Sequence, residues 1–149
     1  MDTPLKIHLQ DSAFAHCIFS NNPMPPKQFT DKVEWVRDGS FTQDDIVVWT
    51  DIDIPNALNR PGKNIVWLIE AYDYIPHLYE FVIKNADKFE VIWTHDVELV
   101  ATLPNATLLP YGGCWVDDFD WDIHPKSKDF SIIASAKQQL PGHKLRHQI

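Results

Sequence analysis

Short runs of consecutive apolar, mostly β-branched residues recur through the middle of the chain and constrain its fold more than any other feature. These runs are Ile46–Trp49, Ile65–Ile69 and Val91–Trp93. An apolar run without polar alternation is typical of a parallel strand that is buried on both faces of its sheet. The chain therefore carries at least the central strands of a parallel sheet.

Helical periodicity separates the second of these runs from the third. After Pro76, apolar residues recur near the helical spacing while charged residues take the other face. Strands that alternate with helices in this way indicate right-handed βαβ units. The sequence predicts an α/β fold in which a Rossmann-like parallel sheet has helices on both faces, within a domain of residues 1–123.

The flanking segments predict further elements of the same domain. Lys6–Gln10 alternates apolar and polar residues and predicts a strand. Phe29–Val36 predicts a short helix that ends at Asp38-Gly39. Thr94 is expected to cap a short helix, and Thr107–Leu109 to form another strand.

The pattern changes in the last part of the chain. An acidic segment, Asp117–Asp122, is followed by a linker at His124–Lys128 and by an apolar strand at Phe130–Ser135. His143–Ile149 then begins like a helix. One strand and the first turns of a helix cannot bury an apolar face alone. Residues 124–149 are therefore expected to be a linker plus the incomplete start of a second βα domain.

Charge and cysteine content exclude several classes of function. A formal net charge of −8 argues against binding to nucleic acid or to an anionic membrane surface. A small anionic ligand is still compatible with this charge, because one arginine or one helix N-terminus can bind it. Cys17 and Cys114 have no metal-binding spacing and fit a reducing compartment. Without a signal peptide pattern or a membrane-spanning apolar run, a cytoplasmic protein with no membrane partner is expected.

Several segments together resemble one enzyme family. Phe130–Arg146 resembles the opening of the donor-binding domain in family-10 glycosyltransferases, the α-1,3-fucosyltransferase family. Val66–Glu70 is similar to the family's strand that ends in a glutamate, and Trp93–Asp96 and Leu109–Tyr111 lie where the family has comparable strand-end segments. The turn Ser135–Lys137 departs from the family pattern because it lacks an asparagine. The later motifs of the donor domain do not occur in this sequence.

The resemblance implies the N-terminal portion of an inverting, GT-B-type glycosyltransferase that uses a nucleotide-sugar donor and a carbohydrate acceptor, with no metal or cofactor. It implies that Glu70 is the base that takes the acceptor proton, and a carboxylate at a strand end faces the ligand crevice of such folds. Arg146 is implied to hold the donor pyrophosphate, assisted by Lys144. His95 and Trp115 are candidates to line the acceptor site, Trp115 by stacking on a sugar ring. The 149-residue chain alone is expected to be inactive, because catalysis needs both halves.

Each assignment has a structural alternative. Glu70 is otherwise a solvated strand-end acid, His95 a helix cap and Arg146 a surface residue. Asp51-Ile52-Asp53 matches the Asp-x-Asp signature of metal-dependent transferases, although the proline that follows favours a capping turn. His143 and His147 lie four apart, as two metal ligands on a helix do, but no third ligand is evident.

A different class of protein also fits the sequence, namely a stand-alone α/β binding or regulatory module without catalysis. In that case the C-terminal tail is expected to be a settled element that covers the edge of the sheet. For the transferase, the tail is expected to be mobile or to pack on another copy as a swapped element, which would give a homodimer.

Overall fold

The computed structural model describes residues 3–12, 32–37, 39–110, 125, 127–128 and 136–148. The chain forms two compact units, residues 1–115 and 116–149, and each has its own description below. The described residues of the first unit form three strands in succession and then strands that alternate with short helices, including a 3₁₀ helix after the third strand. In chain order they are β1 (Leu5–Gln10), β2 (Val33–Val36), β3 (Val47–Thr50), the 3₁₀ helix Asp51–Asn59, β4 (Asn64–Leu68), α1 (Pro76–Lys84), a 3₁₀ turn Ala86–Lys88, β5 (Val91–Thr94), α2 (Val97–Thr102) and β6 (Ala106–Leu108).

Within the described residues, the strands form one six-stranded sheet in the order β2-β1-β3-β4-β5-β6, and every neighbouring pair is parallel. The predicted α/β class with a Rossmann-like parallel sheet is therefore confirmed. The chain first moves from β1 outwards to β2, and then continues from β3 to β6 on the other side of β1. Open parallel sheets bind ligands outside the carboxyl ends of their strands, near such a reversal. The carboxyl edge is thus the place to seek a site.

Two apolar clusters lie against the sheet, and β3 contributes to both. Val47 and Trp49 belong to the first cluster and Val48 to the second, because successive residues of a strand point to opposite faces. The first cluster includes buried residues of the 3₁₀ helix, α1 and α2. The second cluster is built on β1, β3 and β4 and the residue that follows β4. The apolar runs therefore form strands, which are fully buried in β3, whereas in β5 Ile92 is buried and Val91 and Trp93 are partly buried.

Each α-helix of the first unit packs by one apolar face. In α1, Pro76 lies at the first helical positions, and Leu78, Tyr79 and Val82 are buried. Helix α2 begins after Asp96, whose carboxylate accepts hydrogen bonds from two backbone N–H groups of the first turn. Among the described residues, none of the helices combines the length and the apolar character that crossing a membrane requires.

Two sequence predictions in this unit are wrong. Val33–Val36 was predicted as part of a helix but forms β2, a parallel partner of β1. Valine and tryptophan suit a strand, and pairing with β1 outweighs a helical spacing read over so few residues. The cap of α2 is Asp96 rather than Thr94, and the Thr94 hydroxyl instead accepts a hydrogen bond from the Asp96 N–H at 3.0 Å. Phe29 lies outside the described residues.

The described part of the second unit contains a short helix, α3 (Pro141–Leu145). A helix was expected to begin at His143, and α3 instead begins two residues earlier, at Pro141. Proline suits the first helical turn because its fixed φ is helical and its missing N–H would have no helical partner there. The predicted strand Phe130–Ser135 lies outside the described residues.

Arg60 connects the amino ends of β3 and β4 through backbone and side-chain oxygens. Its guanidinium donates to the carbonyl oxygens of Thr42 and Asp45 and, at 3.1 Å, to Oδ1 of Asn64. The same Asn64 oxygen accepts a hydrogen bond from the Trp49 indole N–H at 3.0 Å. Asn64 is 4% exposed, so these partners satisfy a polar group that would otherwise be buried at a free-energy cost.

Gly62 lies next to this hydrogen-bond network. Its φ of 101° lies in a region that residues with side chains rarely adopt. A Cβ atom at this position would overlap the backbone carbonyl group of Gln43. Both the backbone conformation and the space therefore require glycine at this position.

Gly62→Ala is expected to lower the free energy of unfolding by more than about 2 kcal/mol, because strain and a backbone clash add. The matched control is Gly39→Ala. Gly39 also has a positive φ, 71°, but apart from its chain neighbours no described atom lies within 4 Å of the place that an alanine Cβ would take. The control is expected to lose only about 1 kcal/mol. Urea unfolding measures both variants, and equal losses would contradict the clash at Gly62.

Candidate functional site

Three polar residues follow neighbouring strands at the carboxyl edge of the sheet. Asp51 follows β3, Glu70 comes shortly after β4, and His95 follows β5. Strands β3, β4 and β5 are adjacent and in parallel register, so their carboxyl ends meet at this edge. The structure therefore brings together Glu70 and His95, both predicted as site residues, with Asp51 between β3 and β4.

Asp51 occupies an unusual position for a carboxylate. Its side chain is buried, with 2% of the residue exposed, and its φ of 38° is in the left-handed region. Oδ1 accepts hydrogen bonds from the backbone N–H groups of Ile69, at 2.9 Å, and Glu70, at 3.4 Å. Oδ2 is buried and has no hydrogen-bond partner among the described residues. Asp51 thus connects the end of β3 to the end of β4.

The surroundings of Asp51 shift its ionisation towards neutral pH. Burial raises the pKa of Asp51 to about 6, against the two backbone hydrogen bonds, which lower the pKa. The nearby carboxylate of Glu70 raises the pKa further, and His95 acts in the opposite direction. These interactions show that the three residues share one electrostatic environment.

Glu70 presents a carboxylate from a fixed stretch of backbone. Its N–H donates to Asp51, and its carbonyl oxygen accepts a hydrogen bond from the Tyr79 hydroxyl at 3.0 Å. Tyr79 is 1% exposed, and burial raises the pKa of its hydroxyl, which keeps the proton available for donation. Glu70 itself is exposed, and within the described ranges its carboxylate makes no hydrogen bond or ion pair. Hydrogen bonds therefore hold the N–H and the carbonyl group of Glu70, while its carboxylate stays accessible to solvent.

His95 is partly buried at the same edge. The predicted alternative role as a helix cap belongs to Asp96, whose carboxylate accepts from the first turn of α2. The Nδ1 atom of His95 is buried and lacks a hydrogen-bond partner in the part of the chain that the structure describes. His95 therefore lies at the carboxyl edge without serving as the cap of α2.

The Asp-x-Asp segment divides its two carboxylates between different partners. Asp51 accepts from the end of β4, whereas Asp53 accepts from Ser12, whose hydroxyl lies 2.8 Å from Oδ1. The segment opens a 3₁₀ helix, in line with the predicted turn. Across the residues that are described, no group of three or more His, Cys, Asp or Glu side chains is placed to hold a metal ion. This geometry gives the metal-dependent alternative no support.

At the carboxyl ends of β1 and β3, where the order of the strands reverses, polar side chains form hydrogen bonds with one another. Asp11, 7% exposed, accepts two-pronged hydrogen bonds from the Arg37 guanidinium at 2.9 to 3.0 Å. The bond from Ser12 to Asp53 crosses from the end of β1 to the segment after β3. Sequence reasoning missed Asp11, although it directly follows a predicted strand, as strand-end acids in such sheets do. The position of Asp11 after a predicted strand could have identified it as a candidate.

The predicted donor-side residues belong to the second unit. Lys144 lies in α3 and Arg146 directly after it, and both are exposed. Arg146 was expected near the start of a helix but lies at the helix end, because α3 begins at Pro141 and stops at Leu145. His143 accepts a hydrogen bond from the Leu140 N–H through Nδ1 at 3.3 Å, so that nitrogen caps the helix.

Trp115, the remaining predicted site residue, lies outside the described residues, as does the acidic segment Asp117–Asp122. Comparison of the chain with protein-family models, with curated protein sequences and with solved structures gave no match. The candidate site therefore depends on the geometry of the carboxyl edge, and the glycosyltransferase resemblance stays a prediction.

The raised pKa of Asp51 predicts a pH-dependent contribution to stability. The native protein binds this proton more tightly than the unfolded chain, so the contribution is largest in acid. It decreases as pH rises from the ordinary pKa of 3.8 to the folded value of about 6. The full change is on the order of 3 kcal/mol, from the conversion of pKa shifts to free energy. Asp51→Asn removes the titrating group and should flatten this part of the profile.

Urea unfolding of both proteins across this pH range tests the expectation, because other titrating groups cancel in the difference between them. At neutral pH the asparagine variant should be at least as stable as the wild type, since it carries no buried charge. Parallel stability profiles for the two proteins would contradict a buried, protonatable Asp51.

Proposed function

We propose that this chain is the acceptor-side part of an inverting, GT-B-type glycosyltransferase and that Glu70 is its catalytic base. The donor is a nucleotide sugar and the acceptor is a carbohydrate hydroxyl. One observation carries the proposal: an accessible carboxylate lies at the carboxyl edge of a parallel sheet, on backbone that Asp51 and Tyr79 hold from both sides.

The chemistry of inverting transfer requires such a group. The acceptor oxygen attacks the anomeric carbon, the bond from that carbon to the leaving nucleoside diphosphate breaks, and the hydroxyl proton passes to the base. The base must be accessible to the substrate, and Glu70 is exposed whereas Asp51 is buried. Of these two acids, Glu70 therefore fits the role of base.

Exposed aromatic residues next to Glu70 support a carbohydrate as the acceptor. Tyr72 is 47% exposed and Tyr74 is 52% exposed, and both follow β4 closely. The Tyr72 ring packs edge-on against Tyr79, with the ring centroids 5.4 Å apart. Aromatic rings combine an apolar face with a polar tip, and this combination suits the C–H and O–H groups of a sugar.

The donor side of the proposal comes from the sequence resemblance. Arg146 and Lys144 are exposed cations that suit the pyrophosphate of a nucleotide sugar. Association of two copies through residues 124–149 is a separate part of the proposal, and sedimentation equilibrium tests it. A monomer at all concentrations would exclude the dimer without affecting the assignment of Glu70.

Glu70→Gln is expected to lower kcat for sugar transfer by about 100- to 10,000-fold, the usual contribution of a general base. The acceptor KM should change little, because glutamine fills the same space. The assay uses a polypeptide that carries this chain together with a donor-binding domain. It measures release of nucleoside diphosphate from UDP- and GDP-linked sugars in the presence of mixed oligosaccharide acceptors.

The matched control is Glu80→Gln, which makes the same change at an exposed position of α1. It should retain the wild-type kcat. Wild-type kcat in Glu70→Gln would remove Glu70 from the role of base. If the wild-type polypeptide transfers no sugar, and the chain binds no oligosaccharide in NMR titrations, the proposed function is wrong.

A further inference from the structure

Asp51 combines features that each oppose stability. A positive φ is uncommon for any residue with a side chain, and a buried carboxyl group loses its hydration. One of its oxygens is also buried without a hydrogen-bond partner among the described residues. Residues that keep such features usually do so at functional sites, where the surrounding structure holds them in place.

The other oxygen of Asp51 shows what this arrangement provides. Strand β4 ends at Leu68, and the next two N–H groups in the chain, those of Ile69 and Glu70, both donate to Oδ1 of Asp51. The Tyr79 hydroxyl donates to the carbonyl oxygen of Glu70. The peptide groups on both sides of the Glu70 Cα atom are therefore fixed by buried side chains, which fixes the point from which the carboxylate extends.

We infer that Asp51 is a positioning residue that holds Glu70 in the orientation that proton transfer needs. This role rests on the proposed function of Glu70 as the base. Asp51 acts through the backbone of Glu70 and does not touch the substrate, since its own carboxyl group is buried. Tyr79 holds the same residue from the carbonyl side.

A pair of substitutions at Asp51 separates positioning from folding. Glycine and asparagine both tolerate a left-handed backbone, so neither variant adds strain at this φ. Asp51→Asn keeps an oxygen that can accept from the two N–H groups, whereas Asp51→Gly removes it. The difference between the two variants therefore reports on the hydrogen bonds to the end of β4.

Hydrogen exchange of the chain, followed by NMR, gives a readout that needs no activity. In Asp51→Gly the amides of Ile69 and Glu70 should exchange about tenfold faster than in the wild type, as expected for the loss of one hydrogen bond. In Asp51→Asn they should stay near the wild-type rate. The amide of Val66, in the middle of β4, serves as the internal control and should not change.

Kinetics of sugar transfer give the second readout. Asp51→Gly should lower kcat by about 10- to 100-fold with little change in the acceptor KM, because a displaced base slows the chemical step rather than binding. Asp51→Asn should restore most of the lost kcat. If Asp51 had only a structural role, Asp51→Gly would lower the amount of folded enzyme. The kcat per folded molecule would then be the same in the glycine variant, the asparagine variant and the wild type.

The outcomes are distinguishable. Unchanged exchange at Ile69 and Glu70 in Asp51→Gly overturns the positioning role whatever the kinetics show, and so does faster exchange with wild-type kcat. A wild-type polypeptide that transfers no sugar, together with a chain that binds no oligosaccharide, overturns the proposed function, and the positioning role with it. Should Asp51→Gly not fold, Tyr79→Phe tests the carbonyl side. It should lower kcat by about three- to tenfold, and wild-type kcat in that variant would overturn the inference.

Discussion

The burial of β3 on both faces is the constraint on which the rest of the sheet depends. Val47, Val48, Trp49 and Thr50 are all at most 6% exposed, and the strand pairs with both β1 and β4. A shift of register would exchange the side chains that fill the two apolar clusters and would move the point at which the chain leaves the sheet. Its end therefore fixes where the chain turns, and Asp51 is the residue at that turn.

The central strands could be predicted from the sequence because a parallel strand with apolar neighbours on both sides must itself be apolar. The same reasoning failed at β2, an edge strand of four residues. There, Glu34 is exposed between partly buried neighbours, and so short a segment fits a helical spacing as well as an alternating one. The segment forms a strand because it pairs with β1, and the periodicity of a sequence gives no information on such a long-range contact.

The candidate site could be predicted in part for a related reason. Glu70 was selected through the family resemblance together with its position after an apolar run, and the structure places it at the carboxyl edge of the sheet. The role of Asp51 could not be found in this way, since it depends on a left-handed backbone that turns the carboxylate towards the next strand. Tyr79 fits the helical pattern of α1 as one more buried residue, and only the fold brings its hydroxyl to the Glu70 carbonyl nine residues away.

The two acids at this edge differ because their surroundings differ. Asp51 is enclosed, so that burial raises its pKa to about 6, whereas Glu70 is exposed. Such a difference in environment suits the separate roles proposed above for the two carboxyl groups. At the amino ends of β3 and β4, Arg60 donates to Asn64, while the Nε atom of Arg60 is buried without a hydrogen-bond partner among the described residues. The carboxyl edge therefore holds both a buried acid and an accessible one, and the hydrogen bonds that the Ile69 and Glu70 N–H groups donate to Asp51 connect the two.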